Sequence, residues 1–134
     1  MTGHHGVKVL EERGGEGATA QRGDRVVFNS RIVLNRGEEV PPTIHQPDLV
    51  PRGQLRSVDG TMMVDHQAVL GTRDIIAGIE RSLIGMKVGG YRKVRISPHL
   101  AYRDKGIPGV IPPNAVLTVE LWLQQVVEQR RGVA

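Results

Sequence analysis

Ile96-Ser97-Pro98-His99-Leu100-Ala101-Tyr102, then Arg103-Asp104-Lys105, then Gly106-Ile107-Pro108-Gly109-Val110-Ile111-Pro112-Pro113-Asn114-Ala115-Val116-Leu117 is the stretch on which the folding of this 134-residue chain turns. Its glycines and prolines mark turns, yet Ile107, Val110 and Ile111 put apolar side chains where turns are ordinarily polar. A loop of this kind has something to cover. Either it plugs the end of a sheet, or it overhangs an apolar cleft beside Tyr102.

Downstream of it, Val116 to Val127 alternates, with Leu117, Val119, Leu121 and Leu123 on one side and Val116, Thr118, Glu120 and Trp122 on the other, the period of a long core strand. Upstream, Tyr91 to Ile96 reads as a strand with Arg92, Val94 and Ile96 on one face, and Tyr91, Lys93 and Arg95 forming a basic, solvated outer stripe. Before it, Ile75, Ile76, Ile79, Leu83 and Met86 recur on one stripe and predict a helix from about Arg73 to Lys87. Thr72 or Gly71 would cap that helix, Asp74 suits its first turn, and Gly89-Gly90 would stop it. Farther back, Arg25 to Leu34 reads as a long strand burying Val26, Phe28, Ser30, Ile32 and Leu34, with Val27, Asn29, Arg31 and Val33 opposite.

The remaining pieces are a first strand at Val7 to Leu10, a glycine loop at Gly14 to Gly17, a turn at Asn35-Arg36-Gly37 and a short strand at Thr61 to Val64. Prolines 41, 42, 47 and 51 preclude regular central pairing, so an extended loop is expected over about 41–60. Residues 128–134 are expected to be a frayed tail. The layout is a single α+β domain over 1–134.

Composition narrows the function. The chain holds 24% charged and 39% hydrophobic residues, the balance of a globular domain. With no cysteine, thiol catalysis, disulfides and Cys-type zinc sites are excluded. His4, His5, His45, His66 and His99 lack metal-ligand spacing, so no metal is expected. There is no Gly-x-Ser-x-Gly elbow, no phosphate-binding Gly-x-x-x-x-Gly-Lys loop and no dinucleotide fingerprint, which removes hydrolase, kinase and dehydrogenase readings. No export signal or apolar span is evident, so a cytoplasmic protein without membrane contact is expected. A net charge of +4 falls short of a concentrated basic surface, and nucleic acid is an unlikely partner. Lys93, Arg95 and Arg130-Arg131 leave anionic polymers as a minor alternative.

In their order and spacing, Val69-Leu70-Gly71, Ile75-Ile76-Ala77-Gly78-Ile79-Glu80, Met86-Lys87-Val88-Gly89-Gly90 and the opening stretch resemble the FKBP-type peptidyl-prolyl isomerases, the macrolide-binding immunophilins. The likeness covers about Leu70 to Val126, with a weaker block from Gly23 to Val40. It implies a curved antiparallel sheet wrapped around one short helix, with a ligand cleft between them, and isomerisation of X-Pro bonds without a cofactor. By the same resemblance Tyr102 is the cleft wall and hydrogen-bond donor, and the Ile76 backbone N–H meets the ligand's carbonyl. Phe28, Val40, Ile75, Ile79, Ile107, Val110, Ile111 and Val119 form the rest of the substrate site. The implied partners are proline-containing peptides or unfolded proteins, and macrolide ligands.

This chain departs from the family pattern at several positions. Ser30 stands where the family has tyrosine, Val40 where it has phenylalanine, Pro41 where it has aspartate, and Ile79 where many members have tryptophan. Val119 replaces an aromatic, and His66 or a neighbour replaces another. Aliphatic side chains bury less area than aromatic ones, so reduced activity is expected, with a non-catalytic peptide-binding module as the alternative. The connection from Pro41 to Leu70 is about twice the length usual in simple members. It either reshapes a cleft wall, binds a partner, or is disordered. Leu49-Val50-Pro51-Arg52-Gly53 within it also resembles a thrombin cleavage sequence.

Overall fold

The structure, a computed structural model, describes residues 6–40 and 55–127. Eight strands and one helix follow in order: β1 (Val7–Arg13), β2 (Arg25–Leu34), β3 (Glu39–Val40), β4 (Leu55–Val58), β5 (Thr61–Val64), β6 (His66–Val69), α1 (Ala77–Leu83), β7 (Tyr91–Ile96) and β8 (Leu117–Val127). The main sheet runs β1-β7-β8-β2-β3, with β6 also pairing β2, and every pairing is antiparallel. Its path follows from side-chain alternation. On the inner face β8 buries Leu117, Val119, Leu121 and Leu123, β2 buries Val26, Phe28, Ile32 and Leu34, and β7 buries Val94 and Ile96. Helix α1 lays Ile79 and Leu83 into the same core. Gly78 permits that approach: a Cβ there would lie 2.4 Å from Ile96 Cγ2, far inside van der Waals contact.

The helix is shorter than the apolar stripe predicts, and it begins elsewhere. Arg73 has φ +67° and Ile76 is extended at ψ 148°, so neither is helical. The residues expected as start signals close the preceding turn instead. The Thr72 hydroxyl donates to the Val69 carbonyl at 2.7 Å, and the Asp74 carboxylate accepts from the Val69 N–H at 2.9 Å. The cap is Ile76, acting through its backbone alone. The end is also earlier than Gly89-Gly90: Ile84 is extended at ψ 126° and Gly85 has φ +93°. Met86 and Val88 then hydrogen-bond to the Ala18–Ala20 segment.

The loop expected over 41–60 is corrected at its C-terminal part, where Leu55–Val58 pairs with Thr61–Val64 as a hairpin. Its two-residue turn, Asp59-Gly60, has φ +48° and +86°, the left-handed pair that matches strand twist. Residues 41–54 and 128–134, with Pro41, His45, the thrombin-like sequence and Arg130-Arg131, lie outside the described residues, as do His4 and His5. Strand β6 is an element the periodicity does not announce, being only four residues long.

The outer face also departs from expectation. Tyr91 is buried, not solvated, with Arg13 stacked 4.4 Å above its ring and Trp122 beside it at 5.2 Å. Lys93 pairs loosely with Glu11 at 3.8 Å, leaving Arg95 exposed. Arg92, expected inward, reaches the Ser82 carbonyl at 2.6 Å and Glu12 at 2.9 Å. Ser30, expected to be buried, is half-buried, whereas Asn29 on the opposite face is fully buried.

Candidate active site

Pairing across the sheet gathers the predicted site residues into two rows. In one, Val119 and Val40 flank Ile32, each directly opposite it. In the other, Phe28 lies between Leu123 on β8 and His66 on β6. The Ser30 position separates the two rows, so a small side chain stands in the middle of the inner face. The His66 ring lies 5.5 Å from that of Phe28 and is tilted by 38°. Burial lowers the His66 pKa, and the neighbouring Asp65 carboxylate opposes that shift, so the ring is neutral near pH 7.

The pre-helical segment and the loop after β7 close over these rows. Ile75 is buried and Ile76 half-buried, both packed on the cluster that contains Phe28, Ile79 and Val119. The Ile76 carbonyl accepts from Ile79 and Glu80, while none of the backbone hydrogen bonds among the described residues uses its N–H. An extended residue at the head of a short helix thus offers one donor outward. Tyr102, Ile107 and Val110 are half-buried against the same cluster, and Ile111 is buried in it. All ten predicted site residues therefore share one apolar cluster.

The loop holding three of them is a built turn. Pro108 and Gly109, the latter at φ +77°, form a type II turn closed by the Val110 N–H on the Ile107 carbonyl at 2.9 Å. Ile107 and Ile111 exchange two backbone hydrogen bonds at 2.8 Å. Gly106 ties this flap to the Tyr102 carbonyl at 2.9 Å, and its missing Cβ leaves room for the Ile111 carbonyl, which would otherwise lie 2.3 Å away. Tyr102 thus sits at the root of the flap. Burial alone raises its pKa, so the phenol keeps its proton throughout the neutral range, and no hydrogen bond among the described residues engages its hydroxyl.

Such an arrangement can exclude water and offer hydrogen-bond donors. Among the described residues no group of three His, Asp or Glu side chains converges as metal ligands. No helix among them is long and apolar enough to cross a membrane. Three features of the site escape the sequence reading: His66 as the partner of Phe28, the tie from Gly106 to Tyr102, and a hollow on the flap's flank that includes Leu34. The last could have been sought from the proline-rich run at 108–113, which has to lie against something apolar.

Comparison with known proteins extends the agreement. The family model for FKBP-type peptidyl-prolyl cis-trans isomerases matches residues 16–124. An FK506-binding protein 1A of Neurospora crassa is 28% identical over 128 residues, covering 95% of this chain and 93% of that protein. A 46 kDa FK506-binding nuclear protein of Spodoptera frugiperda is 47% identical over 57 residues, which are 42% of this chain and 14% of that protein. An FK506-binding protein 2 of Candida glabrata is 45% identical over 60 residues, 45% of this chain and 44% of its own. Several longer relatives are matched over only 14 to 17% of their length. The wrapped helix, the flap tied to its tyrosine and a match spanning both carry the assignment: the chain belongs to the FKBP-type peptidyl-prolyl cis-trans isomerase family.

Proposed function

We propose that this domain catalyses cis–trans isomerisation of X-Pro bonds in polypeptides. The observation that carries the reading is Tyr102, a protonated phenol at the edge of an apolar cluster, with its hydroxyl unengaged among the described residues. Amide resonance resists rotation by roughly 18–20 kcal/mol, and uncatalysed X-Pro exchange takes tens to hundreds of seconds. A planar amide is more dipolar than a twisted one, so taking it out of water favours the twisted transition state. A thousandfold acceleration requires only about 4 kcal/mol of such preference. In this reading Tyr102 and the Ile76 N–H hold substrate carbonyls, Ile75 lies at the apolar floor with the fully buried Phe28, Ile79 and Val119 packed behind it, and Val40, Ile107, Val110 and Ile111 bound it. Affinity for macrolides such as the FK506 after which the relatives are named belongs to the same proposal, weakened by the aliphatic side chains at 40, 79 and 119. So does action in the cytoplasm, which cell fractionation tests.

The test is magnetisation-transfer NMR on a short X-Pro peptide with and without the protein. Catalysed exchange that falls at least tenfold in Tyr102→Ala supports the reading; exchange no faster than the blank rejects it. The aliphatic replacements favour one second reading, a non-catalytic module that holds proline-containing segments. It predicts peptide-induced shifts at Ile76 and Tyr102 without accelerated exchange.

A further inference from the structure

A hollow of about 670 Å³ lies between the β2–β3 turn and the flank of the flap. Its floor is apolar: Leu34 from β2, and Pro108, Val110 and Pro113 from the flap. Val110 and Ile111 border it and also pack against the cluster around Phe28, so the hollow and that cluster meet across one loop. The charges at its rim are unequal. Arg36 pairs with Glu38 at 2.9 Å, and Glu39 pairs at 3.2 Å with Arg31, which also lies 3.7 Å from Glu120, so each rim carboxylate on the turn side has a cation beside it. Lys105 on the flap side forms no ion pair among the described residues. An extended chain held at Tyr102 and continuing along the flap would meet this apolar shelf, with the unpaired Lys105 at its edge.

We infer that this hollow is a subsite for the substrate segment flanking the proline, selecting an apolar side chain followed by a carboxylate. The inference rests on the isomerase reading for its kinetic consequence, but not for its binding consequence. Apolar burial on the shelf supplies affinity, and Lys105 supplies the sign preference, an exposed-charge effect of about two- to fivefold.

The experiment uses peptides with one Ala-Pro core, extended on both sides by Leu-Glu, Leu-Lys or Asn-Glu. The Leu-Glu peptide is expected to be turned over about threefold more efficiently in kcat/KM than the Leu-Lys peptide, with the difference in KM, and more efficiently than the Asn-Glu peptide. Lys105→Glu should reverse the order of the two Leu peptides, a rescue of the basic one that mere structural damage cannot produce. Equal turnover of all three, or an unchanged order in Lys105→Glu, overturns the inference. If no peptide shows catalysed exchange, the isomerase reading fails and the subsite is judged by titration of ¹⁵N-labelled protein. Shifts at Leu34, Lys105 and Gly109 that are stronger with Leu-Glu than with Leu-Lys then support it, and their absence overturns it.

Discussion

Phe28 and Asn29 are successive residues of β2, both fully buried, and they face two sides of the sheet built on different principles. Phe28 points into the core that wraps α1, surrounded by Leu123, His66 and the aliphatic residues of the proposed site. Asn29 points outward, into a row formed with Trp122, Tyr91 and Arg13 on the neighbouring strands. The β4–β5 hairpin crosses that row as a strap. At its root the Asn29 amide donates to the Val64 carbonyl at 2.9 Å and to Asp65 at 2.8 Å. At its tip Asp59 accepts from Arg13 and from the Trp122 indole, each at 3.2 Å. Asp65 also receives Nε and Nη2 of Arg56 at 2.9 Å, and Gln124 Nε2 donates to the Asn29 side-chain Oδ1 at 2.9 Å. The inner side is held by area and shape, the outer side by a connected polar network. The described end of the long connection from Pro41 to Leu70 therefore reinforces the back of the sheet.

The comparison breaks most directly at Phe28. Phe28→Ala is expected to cost about 3–5 kcal/mol by urea denaturation, because it removes a buried ring and leaves a cavity; a loss below 1 kcal/mol would mean the inner side is not held by packing. Asn29→Leu keeps the volume but leaves the Val64 carbonyl, Asp65 and Gln124 without that partner. The expected cost is about 1–3 kcal/mol, with faster amide exchange confined to the hairpin. Uniform exchange across the sheet would show that the strap and core do not separate.

His66→Phe sharpens the contrast through pH. The folded-state pKa of His66 lies below the ordinary imidazole value of 6.5, so the unfolded chain takes up the proton first as pH falls. Stability is therefore present above about pH 6.5 and declines below it. The Asp65 pKa is lowered, first by its hydrogen bond from Arg56, so its contribution is lost only on further acidification, below the ordinary value of 3.8. Thermal melts of His66→Phe should lose the upper decline and keep the lower one. The smallest effect is expected from Arg13→Ala at the strap's tip. Its ion pair with Asp59 is solvent-exposed on both sides and its stack on the Tyr91 ring adds about 0.5–1 kcal/mol, so the cost is about 1 kcal/mol, of which only the ion-pair part shrinks with added salt. A loss as large as that of Asn29→Leu would place the anchor of the strap at its tip instead of its root.

Much of the inner side was legible in the chain itself. Alternation along Arg25–Leu34 and Leu117–Val127 defines which side chains are buried, because strand geometry has a period of two whatever lies around it. The resemblance carried by the motifs from Val69 to Leu117 identified the family, and the ten residues it implicated all belong to or pack against the hydrophobic core. Local turn chemistry was open to misreading: Thr72 and Asp74 have the composition of a helix start, yet they close a turn, because Arg73 adopts a left-handed conformation between them. The Asp59-Gly60 turn was visible in principle, a two-residue hairpin signal inside a proline-rich segment that reads as loop. What no local pattern could supply is the outer network. Asn29, Asp65 and Gln124 stand up to 95 positions apart, and a polar residue on an alternating strand reads as solvent-facing until the fold brings hydrogen-bonding partners to it. Periodicity and motif determine a residue's face; only the tertiary structure decides what covers that face, since burial of a polar side chain depends on groups far away in the chain.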